Sequence, residues 1–132
     1  SLKQPVLGIC LGLQLMCSHS EENDTKCLGI FDEPVKRFIP KPGKEFVTKV
    51  PHMGWNSISE LESKIFSADT ENQYVYFVHS FYAGIGEHTI ASCNYINPFS
   101  AALQKDNFYA TQFHPEKSGI LGAKILENFL NL

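Results

Sequence analysis

The chain has 132 residues, the size of one domain, so we expect a single core and not a large multidomain enzyme. Hydrophobic residues make up 43% of the chain, enough for a core and too many for a disordered protein. The formal net charge of -3 comes without any basic cluster, which disfavours nucleic-acid binding.

No apolar run approaches the roughly 18 residues that span a bilayer, and the start of the chain lacks the apolar stretch of a signal peptide. We therefore expect a soluble, cytoplasmic protein without membrane association. The cysteines form no CxxC pair, and the histidines show no HxxxH or HExxH spacing. These patterns predict reduced thiols, no metal site and no cofactor.

The predicted elements of the first half begin with a strand at residues 5–9, whose continuous apolar run is typical of a strand buried on both faces. A helix at 11–20 follows a Gly-rich turn without a loop. Three prolines and a glycine between residues 31 and 50 predict irregular structure there, with edge strands at 35–39 and 46–50.

The second half begins with Ser59 and residues 60–66, a pattern typical of a short capped helix. Strands are predicted at 74–78, 89–95 and 100–104, and a turn at 105–107 leads into a hairpin strand at 108–113. Apolar residues spaced four apart predict a closing helix at 118–132. The succession indicates a single α/β domain with a partly antiparallel portion.

Gly8, Cys10 and Gly12 form a G-x-C-x-G motif between the first predicted strand and helix, the setting of a nucleophile elbow. The two glycines leave room for a tight, strained turn, and a helix N-terminus favours the thiolate over the thiol. We interpret Cys10 as a candidate nucleophile. The alternative is a small buried cysteine after a strand.

His114 and Glu116 lie two residues apart after the last predicted strand. In extended backbone this spacing puts both side chains on one side of the chain, so that the carboxylate can orient the imidazole as a base. Alone, the pair is also typical of a solvated histidine beside a helix-capping glutamate. Its occurrence together with the G-x-C-x-G motif favours a catalytic triad with Cys10.

Two segments, G-I-C-L-G-L-Q at 8–14 and Q-F-H-P-E at 112–116, resemble the class I (triad) glutamine amidotransferases. The segments P-H-M-G-W-N at 51–56, Y-V-Y-F-V-H-S at 74–80 and H-P-E-K-S-G at 114–119 are similar to the glutaminase subunits of imidazole glycerol phosphate synthases. The resemblance implies an α/β, flavodoxin-like three-layer sandwich, of which residues 1–132 form the C-terminal portion.

The resemblance implies that Cys10 attacks the side-chain amide of glutamine, that His114 moves the thiol proton to the departing ammonia, and that Glu116 holds the imidazole. A thioester forms, and water releases glutamate. It also implies substrate contacts at three further positions, Gln14, Ser80 and Phe81. Without the resemblance, the first two would be interpreted as a solvent-facing helix residue and a strand terminator.

In this family the ammonia passes through a (β/α)₈-barrel cyclase subunit to a phosphoribulosyl imidazole intermediate of histidine biosynthesis. The resemblance implies a heterodimer with such a cyclase, contacted by Met53, Trp55 and Asn56, with Lys117 as an interface charge. Met and Trp suit an interface because they bury large areas adaptably. The alternative for Trp55 is an ordinary core aromatic.

The family's domain is longer, with strands and a Gly-rich oxyanion loop before the nucleophile, so we expect an N-terminally incomplete sandwich. Losing one oxyanion donor costs about 10²- to 10³-fold in rate. We therefore expect this chain alone to be impaired or inactive, and prone to self-association through exposed apolar faces.

Three other functions remain compatible with the residues. One is a glutaminase that serves another acceptor, as in anthranilate, carbamoyl phosphate or guanylate synthesis. A second is a non-catalytic fragment that binds a partner through the surface around Trp55. A third is a thiol hydrolase of similar architecture that releases ammonia to solvent.

Overall fold

The structure, a computed structural model, describes residues 3–132. Within that range the helices and strands are β1 (Val6–Ile9), α1 (Leu11–Met16), β2 (His19–Ser20), β3 (Thr25–Lys26), β4 (Pro34–Arg37), β5 (His52–Ser57), β6 (Tyr74–His79), β7 (Phe81–Ala83), β8 (Thr89–Tyr95), β9 (Asn97–Lys105), β10 (Phe108–Thr111) and α2 (Gly119–Leu130). Short 3-10 turns lie at Glu22–Asp24, Ala68–Thr70 and Pro115–Lys117. Neither described helix has the length and apolar character needed to cross a membrane.

The central sheet has the strand order β1-β10-β9-β8. Strands β1 and β10 run parallel, whereas β9 is antiparallel to both of its neighbours. A second sheet has the order β3-β2-β4-β7, and β5 pairs with β6 as an antiparallel ribbon. The predicted mixed α/β domain with a partly antiparallel portion is confirmed.

The central sheet is the middle of three layers, because successive strand side chains point to opposite faces. On β1, Val6 packs against the cluster that contains Leu13 of α1. The next residue, Leu7, packs against the cluster that contains Ile125 of α2. One helix therefore covers each face of the sheet, as the expected sandwich requires.

The first helix is shorter than predicted, ending at Met16 instead of residue 20. Cys17 is already extended, with φ -76 and ψ -176, and the chain continues into β2. His19 and Ser20 pair there with β3 on one side and β4 on the other. Backbone pairing with β3 and β4 thus replaces the last helical turn that the local pattern favours.

The helix predicted at 60–66 is absent from the described structure, because the backbone leaves the right-handed helical region at Glu60, with φ 55, and its neighbours bond to other segments. Ser59 forms an isolated bridge with Ser92, and the Glu62 N–H donates to the Ile90 carbonyl at 2.9 Å. The Glu71 carboxylate accepts from the N–H groups of residues 60 and 61 at 2.8 and 3.2 Å.

The edge strand expected at 46–50 is also wrong, since Val47 and Thr48 donate to the Lys44 carbonyl in a turn. In contrast, β5 and β7 form where no strand was predicted. Both are held by antiparallel partners elsewhere in the chain, β6 and β4 respectively, a constraint that short sequence patterns do not reveal.

Gly122 determines how closely α2 approaches the 3-10 turn that precedes it. A Cβ at this position would overlap the Pro115 carbonyl group. The Gly122 N–H donates to the Ser118 carbonyl at 3.1 Å. A glycine here lets the helix pack directly on the turn that carries Glu116.

We expect Gly122→Ala to lower the free energy of unfolding by about 1–3 kcal/mol, because the new methyl group meets backbone that cannot move aside cheaply. Urea denaturation measures the difference. The matched control is Gly84→Ala, where a Cβ would meet nothing within 4 Å and stability should stay level or rise slightly. Equal stabilities for the two variants would contradict the packing argument.

Candidate active site

The parallel pairing of β1 with β10 brings two distant segments to one edge of the central sheet. Ile9 lies opposite Thr111, and the next residue, Cys10, donates its N–H to the Thr111 carbonyl at 2.7 Å. His114 follows β10 closely, and its N–H bonds the Tyr76 carbonyl of β6 at 2.9 Å. Cys10 and His114 thus leave the sheet at the same edge.

The Cys10 backbone is strained, with φ 55 and ψ -104, a region that costs free energy for any residue with a Cβ. A Cβ on Gly8 would come within 3.0 Å of the Gly12 carbonyl carbon and of Met16 Cε, so Gly8 lets α1 pack against β1. A Cβ on Gly12 would meet nothing. The expectation that both glycines clear space therefore holds for Gly8 alone.

Burial raises the pKa of the Cys10 thiol, and hydrogen bonds from the Leu11 N–H and the Gln112 side chain only partly oppose it. The net direction is opposite to the expected thiolate preference at the start of α1. Sγ donates to the Val78 carbonyl and accepts from Gln112 Nε2, both at 3.7 Å. Together with the Leu11 N–H, these groups are the hydrogen-bond partners of Sγ in the described range, and the His114 ring is not among them.

His114 and Glu116 are in contact, with Nδ1 and Oε2 2.9 Å apart. His114 is extended, but Glu116 lies in the 3-10 turn, so a turn rather than an extended strand brings the side chains together. Burial raises the pKa of the Glu116 carboxyl. Hydrogen bonds from the His114 ring and from its own N–H, with the charges of His114 and Lys117, outweigh this effect, so the net pKa is lowered. The carboxylate is thereby held ionised beside the imidazole.

A cavity of about 190 Å³ opens beside the Cys10 thiol. Its walls include all three predicted substrate residues, Gln14, Ser80 and Phe81. An adjoining cavity of about 250 Å³ shares Gln14 and Leu11 with it. The residues singled out for substrate contact therefore surround one space next to the candidate nucleophile.

Gln14 is buried, so the solvent-facing alternative is wrong. Its Nε2 donates to the Phe81 carbonyl at 3.0 Å and to Gln112 Oε1 at 3.1 Å. Gln112 therefore joins Gln14 to the thiol, a role that the sequence did not suggest. The available signal was a neutral polar residue directly after an apolar strand.

Met53 and Trp55 point outward from β5, with 63% and 55% of their surface exposed. The Trp55 ring packs edge-to-face on Tyr76, 6.0 Å between ring centres. The core alternative for Trp55 is therefore wrong. Asn56 is held by the Asn94 carbonyl at 3.0 Å, and Lys117 is exposed on the turn beside Glu116.

His52 and His79 form a buried pair that sequence reasoning missed. Because the Phe81 carbonyl can only accept, His79 Nδ1 carries a hydrogen and donates it to that carbonyl at 2.8 Å. His79 Nε2 then accepts from His52 Nδ1 at 2.9 Å. His52 Nε2 then accepts from Asn56 Nδ2 at 3.2 Å. Both rings are neutral in this arrangement, and burial lowers the pKa of His52 to about 3 and of His79 to about 4.

No group of three or more His, Cys, Asp and Glu side chains in the described part of the chain is arranged to hold a metal ion. All four cysteines are free thiols. The candidate reactive groups at this edge are the Cys10 thiol, the His114 imidazole and the Glu116 carboxylate. This is the residue set of acyl transfer through a covalent intermediate.

We expect acid to destabilise the fold through this histidine pair. The unfolded chain binds protons below pH about 6.5, whereas the folded rings resist protonation down to about 4 and 3. The free energy of unfolding therefore has its full value above pH about 6.5. It decreases as the pH is lowered from there towards the folded pKa values, by up to about 1.4 kcal/mol per pH unit for each ring. Urea denaturation between pH 7 and pH 5 measures the slope.

The comparison variant is His52→Phe, which keeps a ring between Phe77 and Tyr95 but cannot titrate. Its slope should be smaller than that of the original chain by about one histidine's contribution, on the order of 1 kcal/mol per pH unit. Identical slopes would show that the pair does not resist protonation.

The family model and the relatives that match this chain all belong to one protein family. A family model described as glutamine amidotransferase class-I matches residues 1–132. Relatives named imidazole glycerol phosphate synthase subunit HisH are 61% identical in Bacteroides thetaiotaomicron, over 100% of this chain and 66% of the relative. The relative in Bacteroides fragilis is 63% identical over 99% of this chain and 65% of its own length. The relative in Escherichia coli is 50% identical over 98% of this chain and 64% of its own length.

The chain thus spans about two thirds of the length of these relatives. Among solved structures, a Thermoplasma acidophilum protein described as part of a GMP synthase aligns with a TM-score of 0.65. The alignment covers 98% of this chain and 57% of that protein at 22% identity. At this identity the likeness shows the fold and no more.

Proposed function

The chain belongs to the class I glutamine amidotransferase family, and from that premise we propose that it acts in the glutaminase subunit of an imidazole glycerol phosphate synthase. In this role it hydrolyses glutamine to glutamate and ammonia, and the ammonia passes to a cyclase subunit in histidine biosynthesis. The observation that carries the proposal is the convergence of Cys10 and the His114–Glu116 pair at one edge of the sheet.

Cys10 is the nucleophile of the proposed reaction. The strained turn presents its thiol to the cavity. Because burial raises the thiol pKa, the resting sulfur is protonated and needs a base during attack on the glutamine amide. His114 accepts that proton and returns it to the departing ammonia, while ionised Glu116 stabilises the imidazolium. Water then cleaves the thioester and releases glutamate.

Gln14, Ser80 and Phe81 are the proposed substrate contacts. Both amide hydrogens of Gln14 are engaged, by the Phe81 carbonyl and by Gln112. Its Oε1 therefore remains as the acceptor for an N–H group of glutamine. Ser80 and Phe81 line the same cavity and hold the amino-acid end of the substrate.

The proposed partner is the cyclase subunit, joined in a heterodimer through Met53, Trp55, Asn56 and Lys117. Two large apolar side chains exposed side by side on β5 suit the centre of such an interface. The charge of Lys117 partly opposes the rise that burial causes in the pKa of Cys10, and it contributes to the lowered pKa of Glu116, so this residue lies close to the proposed reacting atoms.

The triad assignment predicts graded losses of glutaminase activity in the protein at its native length, assayed with its cyclase. Cys10→Ala should lose about 10³-fold or more, since no other group can form the thioester. Glu116→Gln should lose about 10²- to 10⁴-fold in kcat because the amide no longer stabilises the imidazolium. Glutamate release measures both effects.

The matched control is Glu127→Gln on α2, which removes an exposed carboxylate whose ion partner is Lys124. Its activity should equal that of the unmodified protein. Undiminished glutamine hydrolysis by Cys10→Ala would refute the assignment. Hydrolysis that no cyclase stimulates would favour a hydrolase that releases ammonia to solvent, and co-purification with a different acceptor enzyme would favour another amidotransferase.

The interface assignment predicts that Trp55→Ala weakens binding to the cyclase by about tenfold or more, the loss expected for a central aromatic residue. Isothermal titration calorimetry measures the Kd. Ile120→Ala, which truncates an apolar side chain 92% exposed on α2, is the control and should leave Kd unchanged. Equal affinities for the two variants would place the cyclase on another surface.

A further inference from the structure

Gln112 is a fully buried polar side chain directly after β10. Its backbone N–H donates to the Ala101 carbonyl at 2.8 Å, which continues the sheet pairing by one residue. A buried amide is costly unless its hydrogen bonds are made. Gln112 makes them with two side chains at this edge, Gln14 and Cys10.

The orientation of both amides follows from one carbonyl group. The Phe81 carbonyl can only accept, so the nitrogen of Gln14 must face it. That same nitrogen lies 3.1 Å from Gln112 Oε1, so Gln112 must present its oxygen to Gln14. The Gln112 NH₂ group is thereby directed at the Cys10 sulfur, 3.7 Å away.

We propose that Gln112 is a positioning residue for the nucleophile, which donates an N–H to Cys10 Sγ and is itself oriented by Gln14. In the thiol state the sulfur is held from two sides, by the Val78 carbonyl as acceptor and Gln112 as donor. Once the proton leaves, the Val78 carbonyl has nothing to accept, whereas the Gln112 N–H bonds a thiolate more strongly. The amide thus stabilises the attacking form of the sulfur.

This positioning role rests on the proposed function only for the identity of the group that the sulfur attacks, the glutamine amide. The hydrogen bond itself acts on the sulfur, whatever the substrate. The test therefore reads the thiol directly. Iodoacetamide alkylation of Cys10 is measured against pH in the protein at its native length, and the Cys10 peptide is quantified by mass spectrometry. Cys17 lies close to Cys10 in the sequence but is fully buried, and fragmentation of the peptide locates the alkylated sulfur.

Two variants remove the donor. Gln112→Met has similar size and no N–H, and Gln112→Leu is shorter and likewise has no N–H. Gln112→Met should raise the thiol pKa by about one unit and slow alkylation at pH 7 about tenfold, since only the thiolate reacts. Gln112→Leu should give a shift of similar size.

The matched control is Gln104→Met on β9, whose amide bonds Ser63 and Tyr109 away from the thiol. Its alkylation profile should coincide with that of the unmodified protein. Near-UV circular dichroism checks folding, and if Gln112→Met does not fold, Gln112→Leu decides. A folded Gln112 variant with an unshifted profile overturns the proposal.

Glutamine hydrolysis, assayed on the same samples, separates the two claims. A shifted alkylation profile in a protein that does not hydrolyse glutamine would support the positioning role and refute the proposed function. An active protein whose profile ignores Gln112 would refute the positioning role alone.

Discussion

The parallel pairing between β1 and β10 is the contact on which the site depends. It places Cys10 beside Gln112, which is 102 positions away in the chain, and it carries the turn with His114 and Glu116 to the same edge. One helix then packs on each face of the sheet, close against β1 through Gly8 and against the turn through Gly122. The geometry of the thiol is thus set by backbone pairing, and the side chains refine it.

A continuous set of hydrogen bonds connects the β5–β6 ribbon to the thiol. Two neutral histidines, a shared carbonyl and two glutamine amides form it, in the order Asn56, His52, His79, Phe81, Gln14, Gln112 and Cys10. Every member is uncharged, so burial imposes no ionic desolvation cost. Because each bond fixes the orientation of the next group, the cavity wall beside the thiol has one arrangement of donors and acceptors.

Local sequence patterns predicted the parts of this fold that local forces control. The G-x-C-x-G turn, the strand at Thr89–Tyr95 and the helix Gly119–Leu130 all have a short-range signature. The predicted helix at 60–66 failed because Glu60 adopts a left-handed backbone conformation, with φ 55, and Ser59 and Glu62 bond to the distant strand β8. His52 and His79 meet across 27 positions, and neither carries any pattern that announces the other.

Burial shifts the pKa values of the thiol and of the buried histidines in opposite directions, and the charged side chains lie outside the buried region. It raises the pKa of the Cys10 thiol and lowers that of His52 and His79, so the interior favours neutral forms. The charges of Glu116 and Lys117 lie instead on an exposed turn, where water helps to support them. The proposed base, His114, lies at the boundary between these regions, partly buried and with its ring against Glu116.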